Sequence, residues 1–156
     1  MELWELAARE AIRDTISRYT WCGEFMDAAG FGACFAADAV LEIKGGETYR
    51  GRDAIVGMIA GVRDRTRAAA SAEYSAAAGA MPPVMRHFVA NVRIELASPE
   101  RARALAYFTV FLPPHGHDHW GRYADELARD GERWRFTKRR VSVDGAVPAS
   151  RLWPLR

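Results

Sequence analysis

Lysine is nearly absent. It occurs only at positions 44 and 138, so almost all of the positive charge is arginine, and the net charge is only +2. The arginines alternate with acids, as in Arg9-Glu10, Arg13-Asp14, Arg52-Asp53 and Arg63-Asp64, instead of forming a block. A stripe that would grip a polyanion is missing, and nucleic acid is not an expected partner. Cysteine is limited to Cys22 and Cys34, with no metal-type spacing, which reads as reduced thiols and predicts a cytoplasmic protein. No apolar run approaches the ~20 residues of a membrane span, and Met1-Glu2-Leu3-Trp4-Glu5 carries acids where a signal peptide carries positive charge, so no membrane partner is expected. There is no internal repeat. At 156 residues, with 49% hydrophobic and 27% charged side chains, the chain fits one ordinary globular domain, 1–156, able to bury a real core.

What is present is periodicity. Trp4, Ala8, Ala11, Ile12, Thr15, Ile16, Tyr19, Cys22, Gly23 and Met26 share one stripe at helical spacing and predict a helix over 3–27. Gly30 breaks the chain, and a short second helix from Phe31 to Ala36 turns Phe31, Cys34 and Phe35 inward. A strand over 39–43, a turn at Gly45-Gly46 and a returning Thr48-Tyr49-Arg50 follow. Gly51-Arg52-Asp53 opens a third helix with Ala54, Ile55, Met58, Ile59 and Val62 on its apolar side. The Ala/Ser/Arg-rich run over 65–79 extends that helix or forms a flap over a cavity; its propensity favours helix. Beyond it, alternation predicts strands at 84–97, 102–112, 119–129 and 132–143, with Asp130-Gly131 the clearest hairpin signal. Four strands with short turns make an antiparallel meander, so the helices must cover one face of a curved sheet and the fold class is α+β. The tail over 146–156, with Val147, Leu152, Trp153 and Leu155, is too apolar for a free end and is expected to pack back or onto a partner.

Strict alternation along Arg86–Leu96 places Phe88, Val92, Ile94 and Leu96 on one face and His87, Val89, Asn91, Arg93 and Glu95 on the other. A histidine at the start of such a strand is either a packed or strand-end residue or a proton-handling group in a cleft. Arg140, in register with Trp134, Phe136 and Lys138, either clamps a substrate oxygen or pairs with a surface acid. Tyr49 and Tyr107 read as packing residues. His115, His117 and His119 alternate, but Pro113-Pro114 and Gly116 mark a hairpin loop, so no metal is expected there.

Several stretches resemble the SnoaL-like branch of the nuclear transport factor 2-like superfamily: Ile12–Tyr19, Phe35–Leu41, Tyr49–Ile55, Arg86-His87-Phe88, Gly121-Arg122-Tyr123, and Trp134-Arg135-Phe136 running into Arg139-Arg140-Val141. The resemblance covers about residues 5–145. It implies a cone of three N-terminal helices on a curved antiparallel sheet, enclosing a pocket that uses no cofactor and no metal. Dehydratases of that branch set a tyrosine and an acid near the end of the first helix opposite a strand histidine; Tyr19 and His87 match. The acid aligns with Glu24, where the branch commonly has aspartate; the extra methylene moves the carboxylate by roughly 1.5 Å. Asp27 is the alternative acid.

The expected function follows from that set. His87 acts as general base or acid, Glu24 or Asp27 orients it, and Tyr19 donates to a developing oxyanion. Asn91, Tyr123 and Arg140 are the candidate substrate-binding residues. The expected activity is dehydration, cyclisation or double-bond migration of a small apolar oxygenated molecule such as a polyketide, steroid or aromatic compound. The competing expectation is a non-catalytic ligand-binding or assembly module, like the small subunit of ring-hydroxylating dioxygenases. Epoxide hydrolysis needs a close Asp-Arg-Asp cluster that the sequence does not offer. A homodimer through the outer sheet face is expected, built on Phe88, Val92, Ile94 and Leu96.

Overall fold

The computed structural model describes residues 2–74, 85–112 and 116–150. The elements are α1 (Leu3–Glu24), α2 (Ala28–Ala33), β1 (Phe35–Ile43), β2 (Thr48–Arg50), α3 (Arg52–Tyr74), β3 (Arg86–Ser98), β4 (Arg101–Leu112), β5 (Gly116–Asp130) and β6 (Arg133–Ala146). They form three helices on one six-stranded sheet of order β2-β1-β6-β5-β4-β3. The sheet is mixed, not wholly antiparallel as expected. β1 runs parallel to β6, because the chain leaves the edge hairpin through α3, completes the meander and returns beside its first strand.

α1 starts with a reciprocal capping box between Glu2 and Glu5 and buries Ala8, Ile12, Thr15 and Ile16. Thr15 Oγ1 donates 2.6 Å to the Trp134 carbonyl of β6, fixing the helix across the sheet. The helix ends at Glu24 and not at 27. Met26 adopts φ 57°, and the Asp27 carboxylate accepts the Gly30 N–H at 2.9 Å, so Asp27 caps α2. Phe31, Cys34 and Phe35 are buried as the pattern predicted, though Phe35 already opens β1. α3 extends to Tyr74; the questions of a flap at 75–83 and of the packing of 151–156 fall outside the described residues. The Asp130-Gly131 hairpin forms with Gly131 at φ 63°.

Three of the single-residue bulges in the meander decide which side chains face inward around the cavity, because each shifts the two-residue period by one. On β3 the pairing steps from Ala90↔Tyr107 to Arg93↔Leu105, with Asn91 at φ 52°. His87 and Val89 therefore face in before the bulge, and Val92, Ile94 and Leu96 face in after it. Those three pack in the core and not on an outer patch; of the four residues assigned to a dimer face, only Phe88 is exposed. On β5, Asp118 is the extra residue between Val110↔His119 and Phe111↔His117. Residues 117–119 thus belong to a strand, not to the tip of a loop. On β6, Thr137 is extra between Leu127↔Phe136 and Glu126↔Lys138. Trp134 and Phe136 still point inward, but the next inward residue is Arg139, and Arg140 is turned out.

Candidate active site

Between α1, α3 and the concave sheet face lies a mostly apolar cavity of about 210 Å³. Tyr19 and Gly23 of α1, Met58 of α3, Phe108 of β4 and Val141 of β6 supply much of its wall. Its polar side chains are few: Tyr19, Tyr123, Thr20, whose hydroxyl donates to the Ile16 carbonyl of its own helix, and the imidazoles of His87 and His119. Such a hollow, with sparse polar anchors on rigid elements, is the usual form of a small-molecule site.

Glu24 and His87 meet at its edge. The Glu24 side chain, 5% exposed, is the last of α1 and reaches the first turn of β3. Its Oε1 accepts the backbone N–H of His87 at 2.5 Å, and Arg86 Nη1 donates to Oε2 at 3.2 Å. The His87 Nδ1 lies 3.6 Å from Oε1, an ion-pair distance beyond hydrogen-bond length, and has no other partner. A shift of roughly 0.7 Å closes that gap to an ordinary hydrogen bond. With Nδ1 directed at Glu24, Nε2 is the nitrogen free of that contact.

Burial strips water from the ring and pulls the His87 pKa from 6.5 to about 4; Glu24 opposes this and His119 adds to it. His87 is therefore neutral and able to accept a proton at pH 7. The sign for stability follows. The unfolded chain takes up this proton as pH falls through 6.5, whereas the folded chain resists until about pH 4. The stability difference is fully retained above 6.5 and is lost between 6.5 and 4, by up to about 3 kcal/mol. Urea unfolding of wild type and His87→Gln from pH 7.5 to 4 should diverge by that amount, wild type losing more; parallel curves would contradict the burial of this ring.

Tyr123 is buried and Tyr19 half-buried, and desolvation pushes both phenols above their ordinary pKa, so each is a neutral donor. Beneath them lies a feature that sequence reasoning missed. Arg139 and Asp125, both 0% exposed, form a bidentate pair, Nε to Oδ1 at 2.8 Å and Nη2 to Oδ2 at 2.7 Å. The guanidinium carbon lies 4.1, 4.2 and 4.0 Å from the ring centroids of Tyr19, Tyr123 and Phe136. Desolvation alone would lower the Arg139 pKa, but Asp125 more than offsets it and holds it above the ordinary value. A signal was available: Tyr123, Asp125 and Leu127 share one face of β5, and a carboxylate on an apolar face requires a buried cation.

The remaining sequence candidates are elsewhere. Asp27 is engaged as the α2 cap and does not line the cavity. Asn91 sits exposed at the β3 bulge. Arg140 points outward and pairs with Glu42 at 2.9 Å, so its surface-pair reading is the one the structure shows. Tyr107, expected to pack, is exposed on the outer face, whereas Tyr49 packs against the core. His117 lies 5.0 Å from Trp120, stacked, and no group of three metal-ligating side chains occurs among the described residues; His115 is outside them. Among the described residues no helix is long and apolar enough to cross a membrane.

This architecture is shared with solved structures. A candidate scytalone dehydratase from Novosphingobium aromaticivorans superposes with a TM-score of 0.75 at 16% identity, covering 94% of this chain and 91% of that one. Hexachlorocyclohexane dehydrochlorinase LinA-type3 from Novosphingobium barchaimii gives 0.74 at 18% identity, with 95% and 94% covered. An NTF2-like protein with a cystatin-like fold, also from N. aromaticivorans, gives 0.72 at 23%, with 94% and 88% covered. At these identities the likeness is one of fold, the nuclear transport factor 2-like cone. No curated protein matches the sequence. A family model described as the SnoaL-like domain matches residues 4–140. With nearly the whole helix-and-meander core inside that match, the chain belongs to the SnoaL-like domain family.

Proposed function

We propose that this protein is a cofactor-independent lyase or isomerase in which His87, paired with Glu24, moves a carbon-bound proton of a small, apolar, oxygenated substrate. The observation that carries the reading is the neutral His87 ring at the cavity, with its second nitrogen directed at a nearly buried carboxylate that has no closer basic side chain than Arg86. A base takes the proton from carbon, and Glu24 stabilises the imidazolium that forms. The Tyr19 hydroxyl donates to the oxygen on which negative charge develops, and Tyr123 lines the same wall. The names of two structural neighbours, a dehydratase and a dehydrochlorinase, denote loss of water and of hydrogen chloride, and elimination needs the same base. The volume of about 210 Å³ lies below the ~300 Å³ at which drug-sized pockets begin and favours a one- or two-ring substrate over a steroid.

The test needs no prior substrate. A panel of small cyclic hydroxy-ketones and phenolic ketones is incubated with protein in D2O, and mass spectrometry reads deuterium wash-in and loss of water. Exchange or elimination well above the buffer rate is expected for at least one compact cyclic member. A protein that binds panel members yet exchanges none supports the competing binding or assembly module.

Self-association is part of the same reading. The outer face of β3 and β4 presents Phe88, Leu105 and Tyr107 at 59%, 53% and 56% exposure, with Phe111 beside Phe88 at a 5.4 Å ring distance. Exposed apolar side chains gathered on one sheet face fit a homodimer. Light scattering should give a dimer mass that Leu105→Lys/Tyr107→Lys reduces to monomer; a wild-type monomer contradicts it.

A further inference from the structure

A second imidazole faces the cavity from the same sheet: His87 of β3 pairs with Val110 of β4, which pairs with His119 of β5, so the two histidines stand level and two strands apart. His119 lies on β5 beside the one-residue bulge at Asp118, and that bulge brings two consecutive side chains together where a regular strand would send them to opposite faces. The His119 Nδ1 is 2.6 Å from Asp118 Oδ2, and the Asp118 side chain is wholly buried. The same carboxylate oxygen accepts the Ser150 hydroxyl at 2.7 Å, and the Asp118 carbonyl accepts the Val147 N–H at 2.8 Å. The segment after β6 thereby closes over the carboxylate. Phe108 packs edge-on to the imidazole at 6.0 Å and limits its rotation. With Nδ1 bound to Asp118, Nε2 is left as the nitrogen available to a ligand in the cavity.

We propose that His119 is a second proton-handling residue of this cavity, acting on a substrate oxygen borne by the carbon next to the one served by His87, with Asp118 and Ser150 as its positioning residues. This rests on the cavity being the substrate site, and it deepens that reading by dividing the two proton transfers between two imidazoles. In an elimination, His87 takes the proton from carbon, and the C–H electron pair becomes the new carbon–carbon π bond. The neighbouring C–O bond breaks with its pair on oxygen, and protonated His119 gives its Nε2 proton to that oxygen, so that water leaves. His87 then holds the proton that His119 has lost, and solvent returns it. The substrate class is therefore one with a hydroxyl on the carbon next to an acidic C–H, presented to two bases. That His119 is among the groups disfavouring a positive His87 agrees with their sharing one space.

The test uses the full chain labelled with 15N-histidine and 2-naphthol, a two-ring aromatic alcohol, as probe. In the free protein, Nδ1 of His119 should carry the proton directed at Asp118, and Asp118→Asn should change that protonation pattern. Bound 2-naphthol should shift the Nε2 signals of both His119 and His87. His119→Gln should weaken 2-naphthol about five- to tenfold while leaving its effect on His87 in place. If 2-naphthol shifts His87 but not His119, and His119→Gln binds it within twofold of wild type, His119 merely anchors the C-terminal segment and the proposal falls while the His87 reading stands. A shift at His119 alone removes the His87 reading and leaves this one; a shift at neither overturns both. Should His119→Gln fail to fold, the wild-type signals alone decide.

Discussion

His87→Gln should lose about 10²- to 10⁴-fold in turnover with its melting temperature at pH 7.5 nearly unchanged. Glutamine retains the shape and hydrogen bonding of one imidazole nitrogen but cannot accept a proton at neutral pH. The ring is 23% exposed and Nδ1 has no hydrogen bond to lose, so little packing or bonding energy is at stake. Glu24→Gln separates orientation from basicity. It keeps an oxygen for the His87 N–H, now at 2.5 Å, and removes the charge that favours imidazolium, so a smaller loss of roughly 10- to 100-fold is expected. Glu24→Asp withdraws the carboxylate by roughly 1.5 Å and should act like Glu24→Gln. Turnover, deuterium wash-in and thermal melts of the three variants check the order. A His87→Gln protein as active as wild type would remove the assignment.

The second large effect concerns folding. Asp125→Ala leaves Arg139 buried without its counter-charge beneath three aromatic rings, and should cost about 3–5 kcal/mol, roughly 10 °C in melting temperature. The double change Asp125→Leu/Arg139→Met removes both charges at similar volume and should recover most of that loss, because neither desolvation penalty remains. It should not recover activity, since the guanidinium also seats the Tyr19 and Tyr123 rings. Chemical denaturation of the two proteins tests this; an Asp125→Ala variant within 1 kcal/mol of wild type would show that the pair is solvated in solution.

What the sequence disclosed, and what it hid, divides along these residues. Periodicity located the two long helices, the hairpin and the meander, because each is a local pattern, whereas the six-residue α2 begins three residues before the place the pattern gave it. The resemblance directed attention to Tyr19, Glu24 and His87, and the fold brings Glu24 to His87 and sets Tyr19 on the cavity they border. The misassigned faces of β3, β5 and β6 share one cause. A bulge adds one residue to a strand without a strong local signature, and every inward/outward assignment beyond it inverts. Asn91 on β3 sent Val92, Ile94 and Leu96 into the core; Thr137 on β6 exchanged Arg140 for Arg139; Asp118 on β5 turned an expected loop histidine toward the cavity. Of the three, only Asn91 hinted at itself, being a residue type that tolerates positive φ.

The central claim is that His87 is a dehydrated base held beside Glu24. Titrating its ring nitrogens by 15N NMR from pH 8 to 3.5 tests it most directly. The account predicts a ring neutral at pH 7 that protonates only near pH 4, and near a lower pH still in Glu24→Gln, because Glu24 favours the charged form. A titration midpoint at about 6.5, unmoved by Glu24→Gln, would mean a ring in open water and would contradict it.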